Sequence, residues 1–236
     1  MNLLRNVLDK LRLPCDDITI YKFERYMELI LEWNEKVNLT SITDRDEFVK
    51  KHFVDSLVCC EFKQFQNAEK IIDVGTGAGF PGIPLAIIYP KKDFLLFDST
   101  NKKIKIIEEI INELRIINVR LRHGRAEDLA HEKEHREQYD LCVSRAVANL
   151  AVLSEYCLPF VKVGGWFAAY KSYGAEDEIK DSIKAIDILG GQIEANKSFQ
   201  MYGFDLNHNI VFINKVKKTL AKYPRKAGTP AKEPLK

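Results

Sequence analysis

Along this chain of 236 residues the spacing of apolar positions changes rhythm once, near Glu69. Before that point the apolar residues recur at helical spacing. Leu3, Leu4, Val7, Leu8 and Leu11 mark a first amphipathic helix, which Pro14 stops. A second helix is predicted over residues 19–37, with Tyr21, Phe23, Tyr26, Met27, Ile30, Leu31 and Trp33 as a broad apolar face. Asp44 or Asp46 is placed to cap a third, short helix through Phe48, and another apolar segment covers residues 53–60. Phe62 and Phe65 have the spacing of a helix packed on a sheet, so they are assigned to the core rather than to base stacking.

After Glu69 short apolar runs alternate with helical patterns. Strands are predicted at 71–74, 94–98, 119–122, 140–144 and 165–170, with helices at 82–89, 101–114, 150–158 and 176–189 between and after them. Two last strands fit 192–200 and 209–214, joined by a turn near Gly203 and paired antiparallel at one edge. Continuous apolar strands alternating with helices imply a parallel sheet covered on both faces, an α/β fold. The chain therefore divides into a helical extension (1–61), a seven-stranded sheet domain (62–215) and a basic tail (216–236). Pro224, Pro230 and Pro234 make the tail extended rather than helical.

Composition narrows the classes. With 46% hydrophobic and 30% charged residues, the chain has the make-up of a globular protein. No apolar run approaches the ~20 residues that cross a bilayer, and the charged N-terminus is not a secretory signal. Cys15, Cys59, Cys60, Cys142 and Cys157 are odd in number and follow no disulfide or zinc spacing, which points to a reducing, cytoplasmic compartment. The net charge is only +2, yet the end of the chain carries Lys215, Lys217, Lys218, Lys222, Arg225, Lys226, Lys232 and Lys236 against a single acid, Glu233. Arg115, Arg120, Arg122 and Arg125 form a second basic group. A polyanionic partner and a merely solvated tail fit this asymmetry equally.

The stretch from Lys70 to Pro84 carries the chemistry. A buried strand ends in Asp73, then Gly75, Gly77 and Gly79 follow, then Phe80, Pro81, Gly82 and Pro84 open a helix. Glycines there let backbone approach a bound small molecule. A nucleoside triphosphate is not expected, because no Lys-Ser or Lys-Thr pair follows the last glycine. Residues 77–82 match G-x-G-x-x-G and Asp98 lies about 20 residues on, so NAD and an oxidoreductase remain the alternative. Against NAD, the match starts late, prolines remove donors that a pyrophosphate would use, and Asp73 sits where the phosphates would lie. S-adenosylmethionine (AdoMet) fits better, having a sulfonium, an amine and a ribose diol but no phosphate. Asp98 is placed for the ribose hydroxyls and Ala126-Glu127 for the adenine edge, while Asp128 is read as a helix cap or a loop residue. Acids at three successive strand ends, Asp73, Asp98 and Glu127, are a stronger signal than the glycines alone.

Residues 73–86, Asp-Val-Gly-Thr-Gly-Ala-Gly-Phe-Pro-Gly-Ile-Pro-Leu-Ala, resemble the first motif of the RsmG (GidB) methyltransferases. Residues 33–40, 52–57, 144–148, 170–171 and 223–230 resemble further segments of that family, so the likeness spans nearly the whole chain. It implies a Rossmann-like class I AdoMet-dependent methyltransferase fold, with Gly75, Phe80, Asp98, Ala126, Glu127 and Arg145 contacting the cofactor. It also implies methylation of a guanine at N7 in 16S ribosomal RNA, at position 527 of the 530 loop, reached within the small subunit; the protein itself is expected to be a monomer. Departures are minor: Val147 stands where many members have Phe, and Ser99-Thr100 replaces a more usual Ser-Asn.

Guanine N7 is a lone pair with no proton to remove, so positioning rather than a general base is expected to drive the reaction. Arg145 and Lys171 are the positioning candidates, at the ends of the fourth and fifth strands. His52, Lys171, Arg225 and Lys226 are candidate RNA contacts, and Asp55 and Ser56 accompany His52. A core role for His52 is an equal alternative. His131-Glu132-Lys133-Glu134-His135 fits the zinc-protease pattern H-E-x-x-H, but its surroundings offer no apolar face and no third ligand. It is read as a charged loop or exposed helix, and no metal is expected.

Overall fold

The structure, a computed structural model, describes residues 1–145, 148–172, 175–201 and 204–236. The turn expected near Gly203 and the substituted position Val147 lie outside the described residues. Helix α1 (Asn2–Lys10) buries Leu4, Val7 and Leu8. Helix α2 (Asp17–Asn34) starts where the Asp16 carboxylate accepts from Thr19 N–H, two residues before the predicted start. It stops three residues early because the Asn34 side chain turns back to accept from Leu39 and Thr40 N–H. Its apolar face is also narrower than expected, since Tyr21 is exposed.

Asp44, not Asp46, caps α3 (Arg45–Phe48), accepting from Asp46 and Glu47 N–H. The apolar segment that follows is helical throughout. It comprises a π-type turn (Val49–Val54), α4 (Asp55–Leu57) and a 3-10 turn (Val58–Glu61). Helix α5 (Lys63–Asn67) then leads into the sheet. Phe65 is fully buried and Phe62 packs on Phe212 with ring centroids 4.6 Å apart, so both are core residues.

Strands and helices alternate from there: β1 (Lys70–Val74), α6 (Gly82–Ile88), β2 (Asp93–Asp98), α7 (Asn101–Glu113), β3 (Val119–His123), α8 (Ala126–Leu129), β4 (Tyr139–Arg145), α9 (Leu150–Cys157), β5 (Val161–Ser172), α10 (Glu176–Ile188), β6 (Gly191–Met201), β7 (Phe204–Lys215) and a last short α11 (Thr229–Lys232). Among the described residues the seven strands form one sheet in the order β3-β2-β1-β4-β5-β7-β6. Pairings are parallel as far as β5, and β7 runs antiparallel between β5 and β6. Strand order reverses between β1 and β4, which opens a crevice at their C-terminal ends.

Successive strand residues face opposite layers. Ile71, Phe94 and Leu96 belong to a core shared with α1, α2, α6 and α7, whereas Ile72, Leu95 and Phe97 face α8, α9 and α10. The helical extension thus has no separate core; Phe23, Tyr26 and Phe53 are packed into the same cluster as the sheet. Cys59, Cys60, Cys142 and Cys157 are buried free thiols. Among the described residues no helix is long and apolar enough to cross a membrane.

The tail is neither a solvated segment nor wholly extended. Lys215, counted above with the basic tail, is buried, and its ammonium donates to Leu158 O and Thr219 Oγ1, both at 2.6 Å. The Arg136 guanidinium donates to the carbonyls of Thr219, Leu220 and Tyr223, and His131 Nε2 lies 2.9 Å from Pro224 O. Pro230 lies in the first turn of α11, where its missing N–H is no loss.

Candidate active site at the carboxyl edge of the sheet

The glycine loop after β1 is held from below by Asp73. This carboxylate is fully buried; its Oδ2 accepts from Thr76 Oγ1 at 2.7 Å and from Gly82 N–H at 2.9 Å. The first N–H of α6 is therefore already taken by an acid, which removes the donor that an anion would use at a helix N-terminus. Burial pushes the Asp73 carboxyl up to about 7, against the pull of its two hydrogen bonds. Asp73 is thus placed behind the loop and not on the surface that a ligand would touch.

The glycines divide by role. Gly75 and Gly77 have φ of +72° and +62°, in the left-handed region, and both line the cleft. A Cβ on Gly77 would meet nothing within 4 Å, so only its backbone conformation asks for glycine. Gly79 (φ +100°) faces the other way: a Cβ there would come 2.6 Å from the Tyr26 hydroxyl, which donates to Ala78 O at 2.7 Å. Its smallness serves the packing of α2 under the loop, not the approach of a ligand.

Across the crevice, Asp98 ends β2 with its carboxylate bridging two backbone donors, Gly77 N–H at 3.0 Å and Thr100 N–H at 2.8 Å. Asp98, Ser99, Thr100 and Lys103 form one wall of a cleft of about 420 Å³, the loop forms its floor, and Leu39, His52, Phe80 and Arg145 form the opposite side. That volume suits a nucleoside-sized ligand. A larger groove of about 950 Å³, lined by Arg12, Tyr89 and Lys92 among others, lies at the opposite ends of β1 and β2 and holds none of these acids or loop glycines.

Arg145 ends β4 and meets three acceptors from the helical extension: Lys51 O at 3.0 Å, Asp55 Oδ2 at 2.7 Å and His52 Nδ1 at 3.2 Å. Its guanidinium lies over the Phe80 ring at 5.1 Å, and the His52 ring stacks on Phe80 at 4.5 Å with planes 10° apart. An arginine only donates, so His52 Nδ1 accepts and the proton sits on Nε2, which donates to Thr40 Oγ1 at 2.8 Å. Burial first, and the Arg145 charge second, hold the His52 imidazole down to about 3. His52 is neutral, and it belongs to the cleft wall and to the packing around Phe80 at once.

Four further expected site residues stand elsewhere. Ala126 and Glu127 are buried on α8 and do not line the cleft; Glu127 Oε1 instead accepts from Gly228 N–H of the tail at 2.9 Å. Lys171 is engaged within the fold: its ammonium donates to Ala148 O at 2.9 Å and pairs with Glu178 at 2.6 Å. Glu178 also accepts from Leu150 N–H, so this pair fastens the start of α9 to α10. Arg225 is likewise engaged, on Glu155, whereas Lys226 is exposed. Lys103 and Thr40, which the sequence reading passed over, sit at or beside the cleft; a lysine one turn into the helix after Asp98 was the available signal for the first. In the H-E-x-x-H segment the chain forms turns, not a helix, and His135 Nδ1 bonds Tyr139 Oη at 2.8 Å while His131 goes to the tail. Among the described residues no group of three His, Cys, Asp or Glu is arranged to hold a metal.

A parallel sheet with one antiparallel strand inserted next to its edge, and a glycine-loop cleft at its carboxyl end, is the fold of the class I AdoMet-dependent methyltransferases. Solved structures agree: an AdoMet-dependent methyltransferase from Aquifex aeolicus superposes with a TM-score of 0.55 at 17% identity, over 73% of this chain and 95% of that one. The fibrillarin pre-rRNA processing protein of Methanococcus jannaschii gives 0.56 at 14% identity, over 72% and 77%. Sequence narrows the class. The family described as rRNA small subunit methyltransferase G (GidB) matches residues 19–203. The ribosomal RNA small subunit methyltransferase G of Clostridium tetani is 47% identical over 97% of this chain and 98% of its own, and that of Alkaliphilus metalliredigens is 46% identical over 99% and 98%. The chain belongs to this family of ribosomal RNA methyltransferases.

Proposed function

We propose that this protein methylates N7 of a guanine in 16S ribosomal RNA, position 527 of the 530 loop, with AdoMet as methyl donor. Family membership supports the class of substrate, and the site supports the donor. The observation that carries the choice of cofactor is the Asp73–Gly82 bond: the helix N-terminus that a dinucleotide pyrophosphate would occupy already binds a carboxylate. The residues of the cleft fit AdoMet, a ligand without phosphate. Asp98 is positioned for the ribose diol and Arg145 for the cofactor carboxylate. The buried Asp73 holds the loop from behind through Thr76 and Gly82, and leaves the cleft face to the backbone of Gly75 and Gly77. Glu127 is engaged by Gly228 N–H of the tail and does not line the cleft.

When bound, AdoMet supplies an electrophilic methyl on its sulfonium. The chain has then to hold the acceptor nitrogen in line with it and keep water out. Transfer to N7 releases no proton, and the positive charge passes from sulfur to the guanine ring. A neutral His52 whose Nδ1 is occupied by Arg145 is consistent with a reaction that uses no base. In this reading the sheet body (62–215) binds the cofactor, while the extension (1–61) and the tail (216–236) flank the RNA. Lys226 and Lys103 are the lysines placed to grip phosphates.

The test is methyl transfer from labelled AdoMet to small subunits and to naked 16S RNA from cells lacking the enzyme, followed by mapping of the labelled base. Label at another base would refute the target while leaving the cofactor. Calorimetry with NAD and AdoMet separates the oxidoreductase alternative, which predicts binding of NAD alone.

A further inference from the structure

The π-type turn of the helical extension has an unusual hydrogen-bond pattern around Lys51. The N–H of Asp55 donates to His52 O and to Lys50 O, three and five residues back, and skips the carbonyl of Lys51 between them. That carbonyl points instead to Arg145 Nη1 at 3.0 Å, 94 residues away in sequence. The same turn brings the Asp55 carboxylate, 2% exposed, to 2.7 Å from Nη1 and the His52 Nδ1 to 3.2 Å from Nη2. A regular α-helix would have used the Lys51 carbonyl internally, so the wider turn supplies one of three acceptors that converge on a single guanidinium.

His52 is itself fixed from three sides. Its ring is stacked on Phe80 and edge-on to Phe48 (4.6 Å, 77°), and its Nε2–H is held by Thr40 Oγ1, which also accepts from Ile42 N–H. Such a chain leaves the imidazole one tautomer, with its acceptor aimed at Arg145. Packing alone would have been met by any aromatic ring at position 52; the acceptor at Nδ1 is the feature that packing does not require.

We propose that His52 and Asp55 are positioning residues of the methyltransferase: together with the freed Lys51 carbonyl they fix the direction of the Arg145 guanidinium, so that the helical extension sets the affinity of the cofactor site. The inference rests on the AdoMet reading of the cleft. A guanidinium held by three acceptors loses little freedom when it takes a carboxylate, which raises affinity without new contacts.

The test compares His52→Asn, whose Oδ1 can stand in for Nδ1 as acceptor, with His52→Leu, which has none. Both remove the ring stacked on Phe80, so a purely structural role lowers Tm and affinity equally in the two. The expected result is AdoMet binding about tenfold weaker in His52→Leu than in His52→Asn at matched Tm, read as Kd by calorimetry. Asp55→Asn should raise KM for AdoMet by at least about tenfold, and Asp55→Glu should recover part of the loss. Equal AdoMet affinity in the two His52 variants overturns the inference, whether or not Asp55→Asn folds. If wild-type protein binds no AdoMet, the cofactor reading fails and the inference with it; if wild type binds and the His52 variants do not differ, only the inference fails.

Discussion

Arg225 lays its guanidinium along the carboxylate of Glu155, with Nη2 at 2.7 Å from one oxygen, Nε at 2.9 Å from the other, and its own backbone N–H at 2.8 Å from that second oxygen. Glu155 is buried on α9, and among the described residues the donors to its carboxylate come from the tail. Removing the partner of a buried carboxylate costs several kcal/mol, because the remaining charge must be neutralised or hydrated. Arg225→Ala should therefore lose about 3 kcal/mol of stability and free residues after Lys215 for proteolysis. Chemical denaturation and limited digestion check both. A variant as stable as wild type but weak in RNA binding would return Arg225 to the RNA contacts.

Lys226, next in sequence, is exposed and belongs to the surface. Lys226→Ala should leave Tm unchanged, weaken RNA binding uniformly across sequences, and reduce the slope of log affinity against log salt by about 1. Filter binding at several salt concentrations measures this. An unchanged slope removes Lys226 from the phosphate contacts.

The layered sheet was legible because its strands are short continuous apolar runs with glycine or acid at their ends, and every predicted element from β1 onward is present within a few residues. The partners of charged residues were not legible. Lys171, Lys215 and Arg225 read as free cations in sequence, since their acceptors Glu178, Glu137 and Glu155 come from distant elements. Asp73 and Glu127 were recognised as acids at strand ends, but sequence does not say which layer a carboxylate occupies. One anchors its own loop and the other anchors the tail. The role of Gly79 was hidden for the same reason: its neighbour is Tyr26, 53 positions earlier in the chain.

Asp98 accepts from two backbone N–H groups, and only a carboxylate supplies an acceptor to each. Asp98→Asn would set its NH2 against either Gly77 or Thr100 N–H and leave one donor unpaired. AdoMet affinity should fall by about tenfold to a hundredfold, with a smaller loss of Tm, because this side chain joins the cleft wall to Gly77 while the Phe97 carbonyl still holds Gly75 and Thr76 N–H. Calorimetry against thermal unfolding separates the two effects. Unaltered AdoMet affinity would take Asp98 out of the ligand site.

Asp73 gives the protein a pH dependence with a definite sign. Its carboxyl titrates near 7 when folded, above the ordinary 3.8, because burial disfavours the charge. Between those values the folded state holds a proton that the unfolded state has lost. Stability from this group is therefore full below about pH 4 and is lost as pH rises through 7. The slope reaches at most about 1.4 kcal/mol per pH unit in that window. Asp73→Asn keeps one oxygen for Thr76 Oγ1 and Gly82 N–H and cannot ionise, so its ligand-free stability should lack this slope from pH 5 to pH 7. Denaturant unfolding of both proteins across that range tests the assignment, with the difference between them read at each pH so that other titrating groups cancel. A difference that is constant with pH would mean that Asp73 is ionised throughout, held so by Thr76 and the α6 N-terminus in spite of its burial.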